Sequence, residues 1–224
     1  MKKFYNASLI IIGINVAMFL LQNLLDESFT RSLLLIPGDV FLRPWTLLSS
    51  MFLHGSVGHL FFNMYALLIF GGLIEQRIGS RNFLVSYLFA GVFAGSLYSI
   101  FSSTPALGAS GAIMAVLGLA IMLLPDLRVL FFFVIPMSLR TAGIIFALID
   151  IFGLFNPGSG IAHLAHLGGL FIGLVYGYYL VKQKNKFYKK FTRTPPKVKK
   201  TFGKKDTIEM SDDDIEEYIK SGRF

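Results

Sequence analysis

Between Phe4 and Val181 the chain carries six basic residues (Arg31, Arg43, Arg77, Arg81, Arg128, Arg140) and six acidic ones (Asp26, Glu27, Asp39, Glu75, Asp126, Asp150). A water-soluble fold of that length needs many more charges to keep its surface wet. Such a stretch is built to fold with lipid around it. Across the whole chain 54% of residues are hydrophobic and 15% are charged, against about 25% charged in an ordinary soluble domain. There is no cysteine, which excludes disulfides, thiol catalysis and thiolate metal sites.

A membrane-spanning helix needs about 20 mainly apolar residues. Six segments qualify by pattern: 7–25, 57–74, 82–101, 109–124, 139–155 and 161–181, the fourth and fifth being short. The expected fold is therefore an all-α polytopic membrane protein, a bundle of six helices. The apolar stretch Val129–Met137, interrupted by Pro136, reads as an interfacial or buried connector. Met1-Lys2-Lys3 and the apolar run after it look like a signal peptide, but no small-residue cleavage site follows, so the run reads as a retained first helix. The first loop, Asp26 to about Phe52, holds Pro37-Gly38-Asp39 and Arg43-Pro44-Trp45. It is expected to fold against the membrane interface, with Trp45 at headgroup level.

Eleven of the 21 basic residues fall between Lys182 and Lys205, directly after the last apolar run. A juxtamembrane cluster of this kind is a topology signal and attracts anionic lipid, so nucleic acid is not an expected partner. Six spans put both termini on one side. That side gathers Lys2, Lys3, Arg77, Arg81, Arg128, Arg140 and the cluster, while the other keeps only Arg31 and Arg43. The asymmetry predicts cytoplasmic termini. It also predicts two parts: a membrane domain over 1–183, and a basic-then-acidic cytosolic tail over 184–224. The tail is expected to be partly disordered, with Ser211 capping a short helix that begins Ser211-Asp212-Asp213-Asp214.

Polar side chains in such segments are expensive and usually functional. All four histidines lie in or beside the spans: His54, His59, His163 and His166, joined by Asn63 and Ser110. The second, fourth and sixth spans run in the same direction, and their polar residues stand at their starts. Three separate segments thus bring polar groups to one depth, near the non-cytoplasmic side. His59 and Asn63 share a helix face four residues apart. Gly169, Gly173 and Gly177 continue the His166 face, and Gly111, Ala115 and Gly118 line the fourth span. Small-residue stripes allow close helix approach, which would bring the Ser110 hydroxyl to the His166 imidazole.

Ser110 stands in Gly108-Ala109-Ser110-Gly111, where the flanking glycines permit a sharp turn into a helix. Free backbone N–H groups at a helix start face any developing negative charge. A serine hydroxyl needs a neighbouring base, and a neutral imidazole supplies one near pH 7. The available oxyanion donors are His59, Asn63 and the Ser110 amide.

Taken singly these signals are weak. A G-x-S-G string most often marks helix packing, and Ala112 stands where a nucleophile elbow has its last glycine. A lone histidine or Asn63 could simply bridge helices. The His163/His166 pair could ligate a metal, but there is no HExxH string and no carboxylate in the sixth span, so no metal or cofactor is expected. Glu75 and Arg77 read as an interfacial anchor. Asp150 reads as a cap or anchor of the fifth span, with no chemistry.

Four blocks in order resemble the rhomboid proteases. His54-Gly55-Ser56-Val57-Gly58-His59-Leu60-Phe61-Phe62-Asn63-Met64 is similar to the family's H-x-x-x-x-H-x-x-x-N segment. Glu75-Gln76-Arg77-Ile78-Gly79-Ser80 is similar to its E-x-R-x-G. Gly108-Ala109-Ser110-Gly111 matches G-x-S-G, and Ala165-His166-Leu167-Gly168-Gly169-Leu170-Phe171-Ile172-Gly173 matches A-H-x-x-G-x-x-x-G. The resemblance runs from about Trp45 to Gly177. It implies a six-helix core and a Ser–His dyad without an aspartate. Ser110 would be the nucleophile and His166 the base, with His163 only its neighbour. His59, Asn63 and the Ser110 amide would form the oxyanion hole, and Gly108, Gly111, Gly169 and Gly173 would support the site. The family's Trp-Arg pair of the first loop is replaced here by Arg43-Pro44-Trp45.

The leading expectation is an intramembrane serine endopeptidase, with no cofactor, cutting single-pass membrane proteins near the non-cytoplasmic face of a bacterial cytoplasmic membrane. The runner-up is an inactive rhomboid-like protein that binds clients. A small transporter is a distant third, because a transporter favours internal repeats and mid-membrane sites.

Overall fold

In the computed structural model, which describes residues 6–131, 134–156 and 160–193, every apolar segment anticipated as a span is helical. Helix α1 covers Ala7–Leu24. The loop after it carries α2 (Glu27–Leu33) and α3 (Thr46–Ser49). Helix α4 (Val57–Ala66) passes through a π-helical turn, Leu67–Gly71, into α5 (Gly72–Ile78). Then follow α6 (Ser80–Phe101), α7 (Ser110–Leu123), α8 (Leu139–Gly153) and α9 (His163–Arg193).

Among the described residues four helical stretches are long and apolar enough to cross a membrane: Ala7–Leu24, Val57–Ile78, Ser80–Phe101 and His163–Lys186. The chain is a mostly helical, multi-pass integral membrane protein. Its outward faces agree, since Leu9, Ile10, Val85, Phe89, Phe171 and Val175 are all exposed, as lipid-facing side chains must be. Helix α7 has only 14 residues, which at 1.5 Å per residue is about 21 Å, less than the roughly 30 Å hydrocarbon core.

Helix α7 is the axis of the bundle. Every residue from Gly111 to Ala120 is buried. It packs on α9 almost backbone to backbone: a Cβ at Gly169 would collide with the Gly111 carbonyl oxygen, and one at Gly173 with that of Ala115. From the other side, a Cβ at Gly118 would stand 2.7 Å from the Leu170 carbonyl oxygen. In lipid the hydrophobic effect gives no net attraction between helices. Their association rests on close van der Waals contact of this kind.

Several elements differ from the sequence-based expectation. The stretch read as a connector is a β-hairpin: β1 (Arg128–Phe131) pairs antiparallel with β2 (Ile135–Ser138), Arg128 opposite Ser138. Its Val, Ile, Leu and Phe content favours strand, and Pro136 is tolerated because a two-stranded sheet consists only of edges. Leu130, Val134 and Ile135 are exposed, so the hairpin is not a buried connector.

Glu75 is not an interfacial anchor. It is fully buried, and its carboxylate accepts hydrogen bonds from the amides of Ala7 and Ser8 and from the hydroxyls of Ser8 and Ser80, at 2.6–2.9 Å. It therefore caps the start of α1, where free N–H groups and the helix dipole favour an anion, and ties α1 to α5 and α6. Gly79, with φ 80°, makes the turn between α5 and α6.

In the first loop Arg43 pairs with Asp39 at 2.6 Å and donates to the Arg31 carbonyl at 3.0 Å. Trp45 is half exposed and donates its indole N–H to the Ser32 carbonyl. Helix α9 continues past the boundary expected at 183 and runs to Arg193. The remainder of the expected tail, including Ser211, lies outside the described residues.

Candidate active site

Three helix starts meet on one side of the bundle: α4, α7 and α9. Ser110 is the first residue of α7, and Ala109 precedes it with near-helical angles. Gly108 makes the turn possible. Its φ of 120° is strained for any residue with a side chain, and a Cβ there would lie 2.8–2.9 Å from the His59 ring. Its own amide is anchored to the Ser50 carbonyl at 2.9 Å. Glycine thus serves the backbone angle and the contact with His59 at once.

The Ser110 hydroxyl lies 2.7 Å from His166 Nε2. The two residues are 56 positions apart in sequence, and the α7–α9 glycine contacts bring them together. Both side chains are partly buried, so the pair is neither sealed in the core nor open on the surface. As the first residue of a helix, Ser110 has an amide with no intrahelical acceptor.

His59 and Asn63 stand on the adjoining face. His59 is held from below by its amide, which donates to the Ser56 hydroxyl, the N-cap of α4. Its ring covers Gly108 and sits 5.0 Å, edge-on, from the ring of His54. Asn63 is buried and donates one amide hydrogen to the His59 carbonyl at 2.8 Å. Among the described residues neither side chain is hydrogen bonded to Ser110.

His54 belongs to the structure beneath the site. Its backbone amide is fixed by the Gln22 side chain at 2.9 Å, and both ring nitrogens are buried without a partner among the described residues. Burial, helped by neighbouring His59, pushes its pKa down from 6.5 to about 4, so the ring is neutral near pH 7.

Beside the serine lies a small pocket of about 30 Å³, lined by Ser50, Met51, Gly91, Tyr98, Ser110 and Ala165 among others. Small residues on α6 and α7 keep it open.

Sequence reasoning made Asp150 a cap or anchor with no chemistry, yet it faces both histidines of α9. Its Oδ1 lies 2.7 Å from His163 Nδ1 and 3.0 Å from His166 Nδ1. The sixth span indeed carries no carboxylate; α8 supplies one instead. The sequence did hold a signal: an acid in the last turn of an apolar helix, disfavoured both by lipid and by the helix dipole. These three groups are also the one set among the described residues arranged like metal ligands, all within 4.8 Å. Ligands at about 2.1 Å around a tetrahedral ion would stand about 3.4 Å apart. Separations of 2.7–3.0 Å are those of hydrogen bonds.

The arrangement is that of a hydroxyl, an imidazole and a carboxylate in line, with donors at a helix start beside them. It can do nucleophilic acyl chemistry. A family model described as the Rhomboid domain matches residues 42–183. Rhomboid protein 1, mitochondrial, of Saccharomyces cerevisiae is 32% identical over 186 residues, covering 79% of this chain and 54% of that protein. Rhomboid protease GluP of Bacillus subtilis is 37% identical over 131 residues, covering 58% of this chain and 24% of that one. Rhomboid protease GlpG of Yersinia pseudotuberculosis is 28% identical over 166 residues, covering 73% and 59%. The chain spans about half the length of most of these curated relatives.

Proposed function

Because the chain belongs to the rhomboid family, we propose that it is a serine endopeptidase that cleaves the transmembrane segments of single-pass membrane proteins near the non-cytoplasmic face. The observation that carries this reading is the 2.7 Å contact between the Ser110 hydroxyl and His166 Nε2. Two relatives, GluP and GlpG, are named as rhomboid proteases.

The reaction runs in two halves. His166 Nε2 takes the hydroxyl proton as Ser110 Oγ attacks the scissile carbonyl. Negative charge gathers on the carbonyl oxygen, where the Ser110 amide, Asn63 Nδ2 and the His59 ring are the donors at hand. The C–N bond then breaks, and His166 returns the proton to the leaving amine. Water, deprotonated by the same imidazole, then attacks the acyl carbon, and His166 returns the proton to Ser110 Oγ as the ester bond breaks.

The shortness of α7 gives this chemistry its depth. With its inner end at one interface, a helix of about 21 Å leaves its first residue about 9 Å inside the opposite edge of the hydrocarbon. Ser110 is that residue. A spanning substrate must free a carbonyl from its own helix to react, so Gly or Pro near the cut should help.

Both termini belong to the basic side of the membrane in this reading, supported by the Lys and Arg asymmetry. The membrane domain is taken as 1–183, and 184–224 as an appendage to it. The relatives named include mitochondrial as well as bacterial proteins, so the bacterial cytoplasmic membrane expected from sequence forms no part of the proposal.

The test is a cleavage assay with purified protein in liposomes and a panel of tagged single-pass proteins. The proposal expects cuts near one end of the spanning segment and none with Ser110→Ala. Stable binding of those proteins by wild type, with no cleavage, would replace the proposal with a client-binding role.

A further inference from the structure

We propose that Asp150 is a positioning residue for His166, holding the imidazole in the tautomer and orientation in which Nε2 accepts the Ser110 proton. The inference rests on the proteolytic reading above and adds a third member to a pair that the family resemblance describes as a dyad.

An ionised carboxylate only accepts hydrogen bonds. With Oδ1 3.0 Å from His166 Nδ1, the proton of a neutral imidazole is drawn to Nδ1. Nε2 is then bare and faces the Ser110 hydroxyl at 2.7 Å. In the other tautomer an Nε2–H would point at the serine, and the ring could not take its proton. The same logic operates in Ser-His-Asp hydrolases, where exchanging the acid for its amide leaves the geometry but loses the tautomer.

The surroundings hold the carboxylate still. Asp150 is 4% exposed, and the same Oδ1 accepts from His163 Nδ1 at 2.7 Å. The His163 ring is itself pressed against Gly153, where any Cβ would collide with it. Asp150 and Gly153 both lie in the last turn of α8, so α8, His163 and Asp150 form one rigid support for the catalytic imidazole. When His166 becomes protonated in the reaction, the nearby carboxylate also stabilises the imidazolium.

A purely structural role, tying α8 to α9, would predict something different. The His163 bond is the shorter of the two and would serve a tie at least as well. The tests therefore read the chemistry rather than the fold.

The first test is steady-state cleavage by full-length protein with Asp150→Asn, which preserves side-chain shape. The expected result is a fall in kcat of at least about 10²-fold with KM changed less than about threefold. Unchanged kcat in the variant, with active wild type, overturns the inference. An inactive wild type instead refutes the proteolytic reading. The second test needs no variant: NMR of wild-type protein with ¹⁵N-labelled histidine, His166 assigned by its loss in His166→Ala. The inference expects protonation at Nδ1, and a proton resident on Nε2 overturns it even if Asp150→Asn fails to fold.

Discussion

Gly169 packs directly on the backbone of Gly111, so closely that a Cβ on Gly169 would collide with the Gly111 carbonyl oxygen. Gly111 follows Ser110, and Gly169 lies one helical turn beyond His166. The separation of the Ser110 hydroxyl and the His166 imidazole is therefore fixed by a contact that contains no side chain at all.

Replacing Gly169 by valine should push α9 off α7. Overpacking of this kind costs about 1–3 kcal/mol, and a 1 Å displacement at the site costs about 10²-fold in rate. The expectation is a lowered unfolding midpoint together with a disproportionate loss of kcat. Gly13→Ala is the control, since nothing lies within 4 Å of a Cβ there. Full activity of Gly169→Val would show that the glycine contact does not set the catalytic distance.

In the proposed mechanism Asn63 serves the oxyanion, although one of its amide hydrogens is engaged with the His59 carbonyl. The second hydrogen is the one available to substrate. Asn63→Ala should lower kcat by about 10²–10³-fold, or about 2.7–4 kcal/mol, with little change in KM. An unaltered kcat would move that role to the Ser110 amide and His59.

His54 makes a prediction in pH. Its folded pKa lies near 4 and its ordinary value is 6.5. Between those values the unfolded chain binds a proton that the native state does not, so stability rises with pH across the window and is lost as pH falls from 6.5 towards 4. His54→Gln should flatten that dependence when unfolding is followed in mild detergent. An identical slope in wild type and variant would contradict the buried neutral ring.

What could be read from sequence was whatever depends on local pattern. The apolar helices followed from the length of the apolar runs, and the nearness of Ser110 to His166 followed from glycines repeating at helical spacing on both helices. What stayed hidden depended on partners far along the chain. Glu75 looked like a boundary charge because nothing local shows that Ala7 and Ser8 come to it. Asp150 looked like a cap because its partners, His163 and His166, lie beyond a loop of unpredictable path. The hairpin at Arg128–Ser138 was obscured by its apolar content, which in a membrane protein resembles broken helix as much as strand.

The central claim is that Ser110 is a nucleophile activated by His166, and the most direct measurement is covalent labelling by a fluorophosphonate, mapped by peptide mass spectrometry on the folded protein. The account predicts one modified residue, Ser110, with no labelling of Ser110→Ala and labelling of His166→Ala slowed by at least about 10²-fold. Folded wild-type protein that resists several such probes, or labelling that survives Ser110→Ala, would contradict it.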